Sequence, residues 1–244
     1  MKPERVKETF RQPAAVEHYT RAAREIGLWR SETKVFCRVF REEDSLLDLG
    51  CGAGRIAFGM WELGYCRLLG IDYSGEMIRE ARRLARLLEY GIAFRQADAA
   101  ALPLDDGALD GVIFGFNGLM QIPGRERRRR AMREVRRVMR PGGRFVFTTH
   151  DREHRDFRDF LRLHARLWAR GDQPQELEEF GDNFFRAPEG EIFMHLPNRA
   201  EIMEDLEATG WRHESDETRE EIADEPAEVR RFSDECRFWV AGRE

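Results

Sequence analysis

The stretch Leu46-Leu47-Asp48-Leu49-Gly50-Cys51-Gly52-Ala53-Gly54-Arg55 passes from an apolar run through three closely spaced glycines into a helical pattern. The run reads as a buried strand over Ser45 to Gly50, and Arg55 to Leu63 reads as a helix that Gly64 ends in a left-handed conformation. Glycines at this spacing permit a tight turn and a close backbone approach to a ligand, whose negative group would meet the amide hydrogens at the helix start. An ordinary strand-to-helix turn could look the same. Asp72 adds a second feature: it follows the next apolar run, Cys66 to Ile71, 22 positions after Gly50. That is close to the roughly 20 positions at which an acidic residue meets a ribose hydroxyl in nucleotide-binding sheets.

Apolar runs alternate with amphipathic helices from residue 45 to about 150, the pattern of an open α/β sheet whose function sits at the carboxyl ends of its strands. Ser74 is a reasonable N-cap for a helix that buries Met77, Ile78, Ala81, Leu84, Ala85 and Leu88. Further strands are predicted over Ile92–Gln96, Leu109–Gly115 and Arg144–Thr149, with a basic helix stopping before Pro141-Gly142-Gly143. Beyond His150 a helical stretch (Phe157, Leu161, His164, Leu167, Trp168) leads into an irregular aromatic segment around Phe180, Phe184, Phe185 and Phe193, read as an insertion over a site. Asn198 and Glu201 have capping-box spacing, Gly210 is a stop, and two last strands follow over Trp211–Thr218 and Cys236–Ala241. At the front, Val16, Tyr19, Ala23 and Ile26 share one helical face, and Val35, Phe36, Val39 and Phe40 share another. The expected organisation is a helical cover over 1–44 and one domain over 45–244, with a lid over 151–196 inside it.

The 244 residues are 41% hydrophobic and 36% charged, which excludes disorder and a minimal disulfide scaffold. No apolar run reaches the roughly 20 residues of a membrane span, and the charged amino terminus has no apolar core, so the expected location is the cytoplasm. The scattered Cys37, Cys51, Cys66 and Cys236 form neither a C-x-x-C pair nor a zinc pattern and are read as reduced, mostly buried thiols, with no metal site. A net charge of -5 gives the chain no general nucleic-acid footprint. One local patch, Arg125 to Arg140, is basic, but its apolar residues share a face, so most of its arginines are expected to point to solvent on a flank of the sheet.

In order, Asp48-Leu-Gly-Cys-Gly-Ala-Gly54, Gly70-Ile-Asp72-Tyr-Ser-Gly-Glu-Met77, Gln96-Ala-Asp98, Leu109-Asp110-Gly-Val-Ile113 and Met139-Arg-Pro-Gly-Gly143 resemble the motifs of the class I S-adenosylmethionine-dependent methyltransferases. The resemblance runs from about Ser45 to the carboxyl terminus. It implies a Rossmann-like α/β fold of seven strands, mostly parallel with the last antiparallel, and helices on both faces. It implies S-adenosylmethionine as cofactor and S-adenosylhomocysteine as product. By it, Gly50, Gly52 and Gly54 pack against the amino-acid and ribose part of the cofactor, Asp72 accepts from both ribose hydroxyls and Asp98 accepts from the adenine amino group. Asp48 orients the loop or, through water, the cofactor ammonium. Cys51, Tyr73, Met77, Ala99 and Phe114 are placed in the same site, and Tyr19 comes from a front helix that closes over it. Phe116 to Met120 and Phe147 to His150 are similar to segments of bacterial members whose substrates are undefined. A nicotinamide dehydrogenase would need glycine three positions after Gly52, where Arg55 stands.

Methyl transfer from a sulfonium needs an aligned nucleophile and exclusion of water, while a general base is optional. Polar groups after the strands are therefore the catalytic candidates: Asn117 after the fourth, and His150, Asp151 and Arg152 after the fifth, with His195 in the insertion. His150 could take a proton, Arg152 could hold a carboxylate or phosphate, and Asp151 could orient either. The long insertion suits a closed pocket for a small-molecule acceptor, methylated on N, O or another nucleophile. Methylation of tRNA or rRNA and non-catalytic binding of the cofactor are the alternatives. Oligomeric state is not readable from the sequence.

Overall fold

The computed structural model describes residues 8–187 and 190–244. Two helices, α1 (Pro13–Glu25) and α2 (Arg30–Val39), precede β1 (Leu46–Leu49), α3 (Arg55–Glu62), β2 (Leu68–Asp72), α4 (Gly75–Leu87), β3 (Ala93–Gln96) and β4 (Leu109–Phe114). Then come α5 (Arg125–Val138), β5 (Met139–Thr149), α6 (Arg158–Arg170) and the strands β6 (Asp182–Ala187) and β7 (Gly190–His195). The chain continues through α7 (Arg199–Ala208), β8 (Arg212–Thr218), the short helices α8 (Arg219–Ile222) and α9 (Ala227–Phe232), and β9 (Arg237–Gly242).

Seven strands form one sheet in the order β3-β2-β1-β4-β5-β9-β8. The first five pair parallel, and β9 enters antiparallel between β5 and β8. Alternation along the central strands feeds two cores: Val146, Phe238 and Val240 face one layer, and Phe145, Phe147, Trp239 and Ala241 face the other. Helices α2, α3 and α4 cover the first face, while α5 and α7 cover the second. The strand order reverses between β1 and β4, so the crevice beyond their carboxyl ends is where a ligand is expected.

Local signals act as the sequence predicts at several ends. Ser74 Oγ accepts from Met77 N at 3.3 Å, and Asn198 and Glu201 exchange side-chain bonds of 3.0 Å. Gly64 and Gly210 follow their helices with φ of 100° and 77°. Four expectations change. The aromatic segment of the insertion is a hairpin, β6–β7, in which Phe184 faces Phe193; its residues lack a simple alternation, so their pairing is set by the partner strand. Leu88, the C-cap of α4, is exposed and lies outside the buried face. Cys37 and Cys66 are exposed, unlike Cys51 and Cys236. The arginines of α5 mostly do not point freely into solvent. Arg128 is fully buried against Glu179, and Arg125 and Arg129 both bind Asp205.

The amino-terminal helices are stitched to the sheet domain. Arg55, the first residue of α3, makes a two-pronged ion pair with Glu32 of α2, both bonds 2.6 Å, and donates to Gly27 O at 2.8 Å. Glu32 also accepts from Trp29 N, and Glu225, from the segment before α9, accepts from the first backbone N–H groups of α2. Both members of the Glu32–Arg55 pair are buried, so removing one strands the other's charge in a low dielectric. Arg55→Met is expected to cost about 3–5 kcal/mol of stability, read as a lower urea midpoint. The double change Glu32→Gln with Arg55→Met should recover part of that loss.

Candidate functional site

The glycine turn after β1 builds the first cavity. Gly50, Gly52 and Gly54 have φ of 68°, 52° and 99°, a region costly for side-chain-bearing residues. A Cβ on Gly50 would lie 2.7 Å from the Phe114 ring, while one on Gly52 would meet only open space. Gly52 therefore leaves a backbone-walled cradle, and its N–H donates 2.8 Å to Asp72 Oδ2. Ser74 N donates 2.7 Å to Oδ1 of the same carboxylate. Each oxygen keeps acceptor capacity beyond that one bond, which suits a vicinal diol. Burial pushes the Asp72 carboxyl up, and the backbone N–H bonds oppose that shift.

Asp48, Gly50, Cys51, Gly52, Asp72 and Tyr73 line this cavity together, and Met77, Asp98, Ala99, Phe114 and Tyr19 complete the predicted set. Gly54 does not line it; it sits beneath the Phe58 ring, where a Cβ would approach within 2.7 Å. Asp48 is buried, accepts from Ala57 N at 3.1 Å and is pushed by burial up to about 8, against the lowering field of Arg55. Asp98 accepts from Ala100 N at 2.9 Å and pairs with Arg127 at 2.5 Å. Arg127 was placed on the flank by the sequence, yet the amino end of α5 brings it to the cavity wall. Phe10, Gln121 and Phe232 also line the cavity and carry no motif, as do Arg55 and Phe116, which stood in quoted segments without a site role; only the helical face around Tyr19 hinted at an aromatic cover.

A second cavity of about 780 Å³ lies beside the first and shares Tyr19, Phe116, Gln121 and Phe232 with it. Phe116 and Asn117 both hold left-handed backbone, φ 50° and 58°, with one residue between them and the end of β4. Such strain is rare for an aromatic residue and persists only where surroundings fix it. Here Asn117 N donates to Thr148 Oγ1 at 2.9 Å, and the Phe116 ring packs edge-on against Trp29 and Tyr19. Asn117 and His150 meet at the wall of this second cavity, 3.1 Å apart between Nδ2 and Nε2. The other ring nitrogen, Nδ1, lies 2.7 Å from Glu235 O. A carbonyl only accepts, so Nδ1 carries the proton, and burial pushes the imidazole below its usual range, which keeps it neutral.

Asp151 and Arg152 line neither cavity. Asp151 accepts from Glu153 N and faces Arg237, while Arg152 binds Glu201 and Leu196 O and covers the Phe180 ring. His195 is buried against Asp182 at 2.9 Å in the same polar cluster. These contacts tie the insertion to α7 and β9.

Residues 46–143, which contain the glycine turn, Asp72 and Asp98, match a family model described as a methyltransferase domain. Residues 46–143 thus carry a methyltransferase domain. A demethylmenaquinone methyltransferase of Thermus thermophilus is 37% identical over 41% of this chain and 44% of its own length. A ubiquinone/menaquinone biosynthesis C-methyltransferase of Acidiphilium cryptum is 33% identical over 59% of this chain and 58% of its own. The chain thus spans about half the length of these curated relatives. The fold of the methyltransferase domain is also that of a Methanosarcina mazei SAM-dependent methyltransferase, at a TM-score of 0.69 and 22% identity over 86% of this chain and 96% of that one. S-adenosylmethionine is the cofactor of such a domain, and the cradle, the Asp72 acceptor and the acidic Asp48 fit its backbone approach, diol and positive charge. Among the described residues no helix is long and apolar enough to cross a membrane.

The raised Asp48 carboxyl has a stability consequence. In the unfolded chain it ionises near 3.8 and in the folded protein near 8, so the folded state binds the extra proton between those values and stability falls as pH rises through that window. Asp48→Asn keeps an acceptor for Ala57 N without the buried charge. Its melting temperature should gain on wild type as pH goes from 5 to 8, by roughly 10 °C at the upper end in thermal melts of the ligand-free protein.

Proposed function

We propose that this methyltransferase domain transfers a methyl group from S-adenosylmethionine to a nucleophile on a small molecule held in the second cavity. The observation that carries this reading is the shared wall: Tyr19, Phe116, Gln121 and Phe232 belong to both cavities. A donor in one and an acceptor in the other would face each other across a water-poor aromatic seam. When bound, S-adenosylmethionine supplies an electrophilic methyl carbon whose C–S bond breaks as the bond to the nucleophile forms. The chain's own residues bind, orient and enclose. Asp72 takes the ribose hydroxyls, the Gly50–Gly52 backbone admits the cofactor closely, and Asp48, when ionised, balances its ammonium. Asp98, held by Arg127, offers its remaining acceptor capacity to the adenine amino group. Residues Phe157, Phe185, Ile192 and Met194 of the 151–196 insertion wall the second cavity, so the insertion serves as its lid. The names of the quinone-modifying relatives also support a small-molecule acceptor.

Asp72→Ala should weaken S-adenosylmethionine binding by about 2 kcal/mol, roughly thirtyfold, in calorimetric titration, with NAD as the non-binding control. An unchanged affinity would reject the ribose assignment. Incubation with S-adenosylmethionine labelled on its methyl group, followed by separate recovery of small molecules and RNA, should place the label in the small-molecule fraction. Label confined to RNA would overturn the acceptor class.

A further inference from the structure

The hydrogen-bond chain through His150 fixes the orientation of the Asn117 amide at the wall of the second cavity. Glu235 O can only accept, so His150 Nδ1 donates to it, and the neutral ring then has a lone pair at Nε2. That lone pair accepts from Asn117 Nδ2 at 3.1 Å. The amide is therefore held in one orientation, with its carbonyl oxygen on the opposite side. Asn117 is 3% exposed, and its Oδ1 has no hydrogen-bond partner. A buried acceptor left unpaired is costly and is relieved by a donor. Around it the cavity is lined by Phe116, Phe157, Phe185, Ile192, Met194 and Phe232, surfaces that suit a flat apolar body. The strained Phe116–Asn117 turn sets both groups at once: the ring on the seam between the cavities and the amide behind it.

We propose that Asn117 Oδ1 is the specificity-determining acceptor for a hydroxyl or amino hydrogen of the methyl acceptor, which is a flat, largely apolar ring compound. His150 is a positioning residue that locks the amide and not the base. This rests on the methyl-transfer reading above. The hydrogen bond to Oδ1 holds the X–H group so that its lone pair can attack the methyl carbon. The C–X bond forms, the C–S bond breaks with its electron pair left on sulfur, and the X–H proton passes to water at the cavity mouth.

The test uses the full-length protein saturated with S-adenosylhomocysteine and three ring compounds: 1-naphthol, 1-naphthylamine and 1-methoxynaphthalene, which lacks a donor. Wild type should bind the first two at least about tenfold more tightly than the third. Asn117→Gly, chosen because glycine tolerates φ of 58°, should remove the preference. Asn117→Asp, which keeps an acceptor, should retain it. His150→Phe should shrink the gap to about threefold or less by freeing the amide to rotate, whereas a merely structural role would weaken all three ligands alike. Equal affinities in wild type, binding of none of the three, or a preference that survives in Asn117→Gly overturns the proposal. The wild-type comparison decides the matter even if a variant does not fold. Failure of wild type to bind S-adenosylhomocysteine would instead overturn the methyl-transfer reading itself.

Discussion

The buried ion pair between Glu32 and Arg55 is the constraint on which the site depends. It joins the helix that begins at the glycine turn to the amino-terminal segment through two bonds of 2.6 Å. The same guanidinium lies over the rings of Trp29 and Phe116, at 4.8 and 5.8 Å. One side chain thus sets the backbone that lines the first cavity and the aromatic wall that separates it from the second. Such a pair contributes little net stability relative to an apolar substitute, but it is intolerant of losing one member. Its value here is positional.

Electrostatics divide the molecule into two regimes. On α5 the arginines are matched by acidic residues from other elements, among them Asp98, Glu179, Glu204 and Asp205. That helix is a fastening for the second face of the sheet. At the cavities the charges are instead held at a cost. Asp48 and Asp72 are both raised by burial, a penalty that a nearby positive charge or hydrogen-bond donor would offset. The second cavity carries a neutral histidine and an unpaired amide oxygen, a setting for recognition by hydrogen bonding.

Much of the first cavity was legible in the chain because its turn and strand ends are local features. A turn that takes left-handed backbone at alternate positions favours glycine at each of them, and the strand that ends at the crevice carries its acidic residue at its last position. The second cavity was less legible. Asn117 and His150 could be picked out as strand-end polar groups, but Asp151 and Arg152, equally well placed along the chain, turn out to brace the insertion. Nothing in the spacing separates the two outcomes, since the direction of each side chain depends on partners such as Glu201, Arg237 and Glu235 that are 49, 86 and 85 residues away.

The sequence by itself determined the α/β class, the strand sequence up to Thr149, the glycine cradle and Asp72, because these follow from backbone sterics and short-range periodicity. The tertiary structure alone decided that Arg55 would clamp Glu32, that Arg127 would reach Asp98, that the aromatic insertion would pair as a hairpin, and that His150 would hold the Asn117 amide. Each of these is a contact between segments distant in the chain. Its geometry is set only when the sheet has brought them together and removed the water that would otherwise satisfy them.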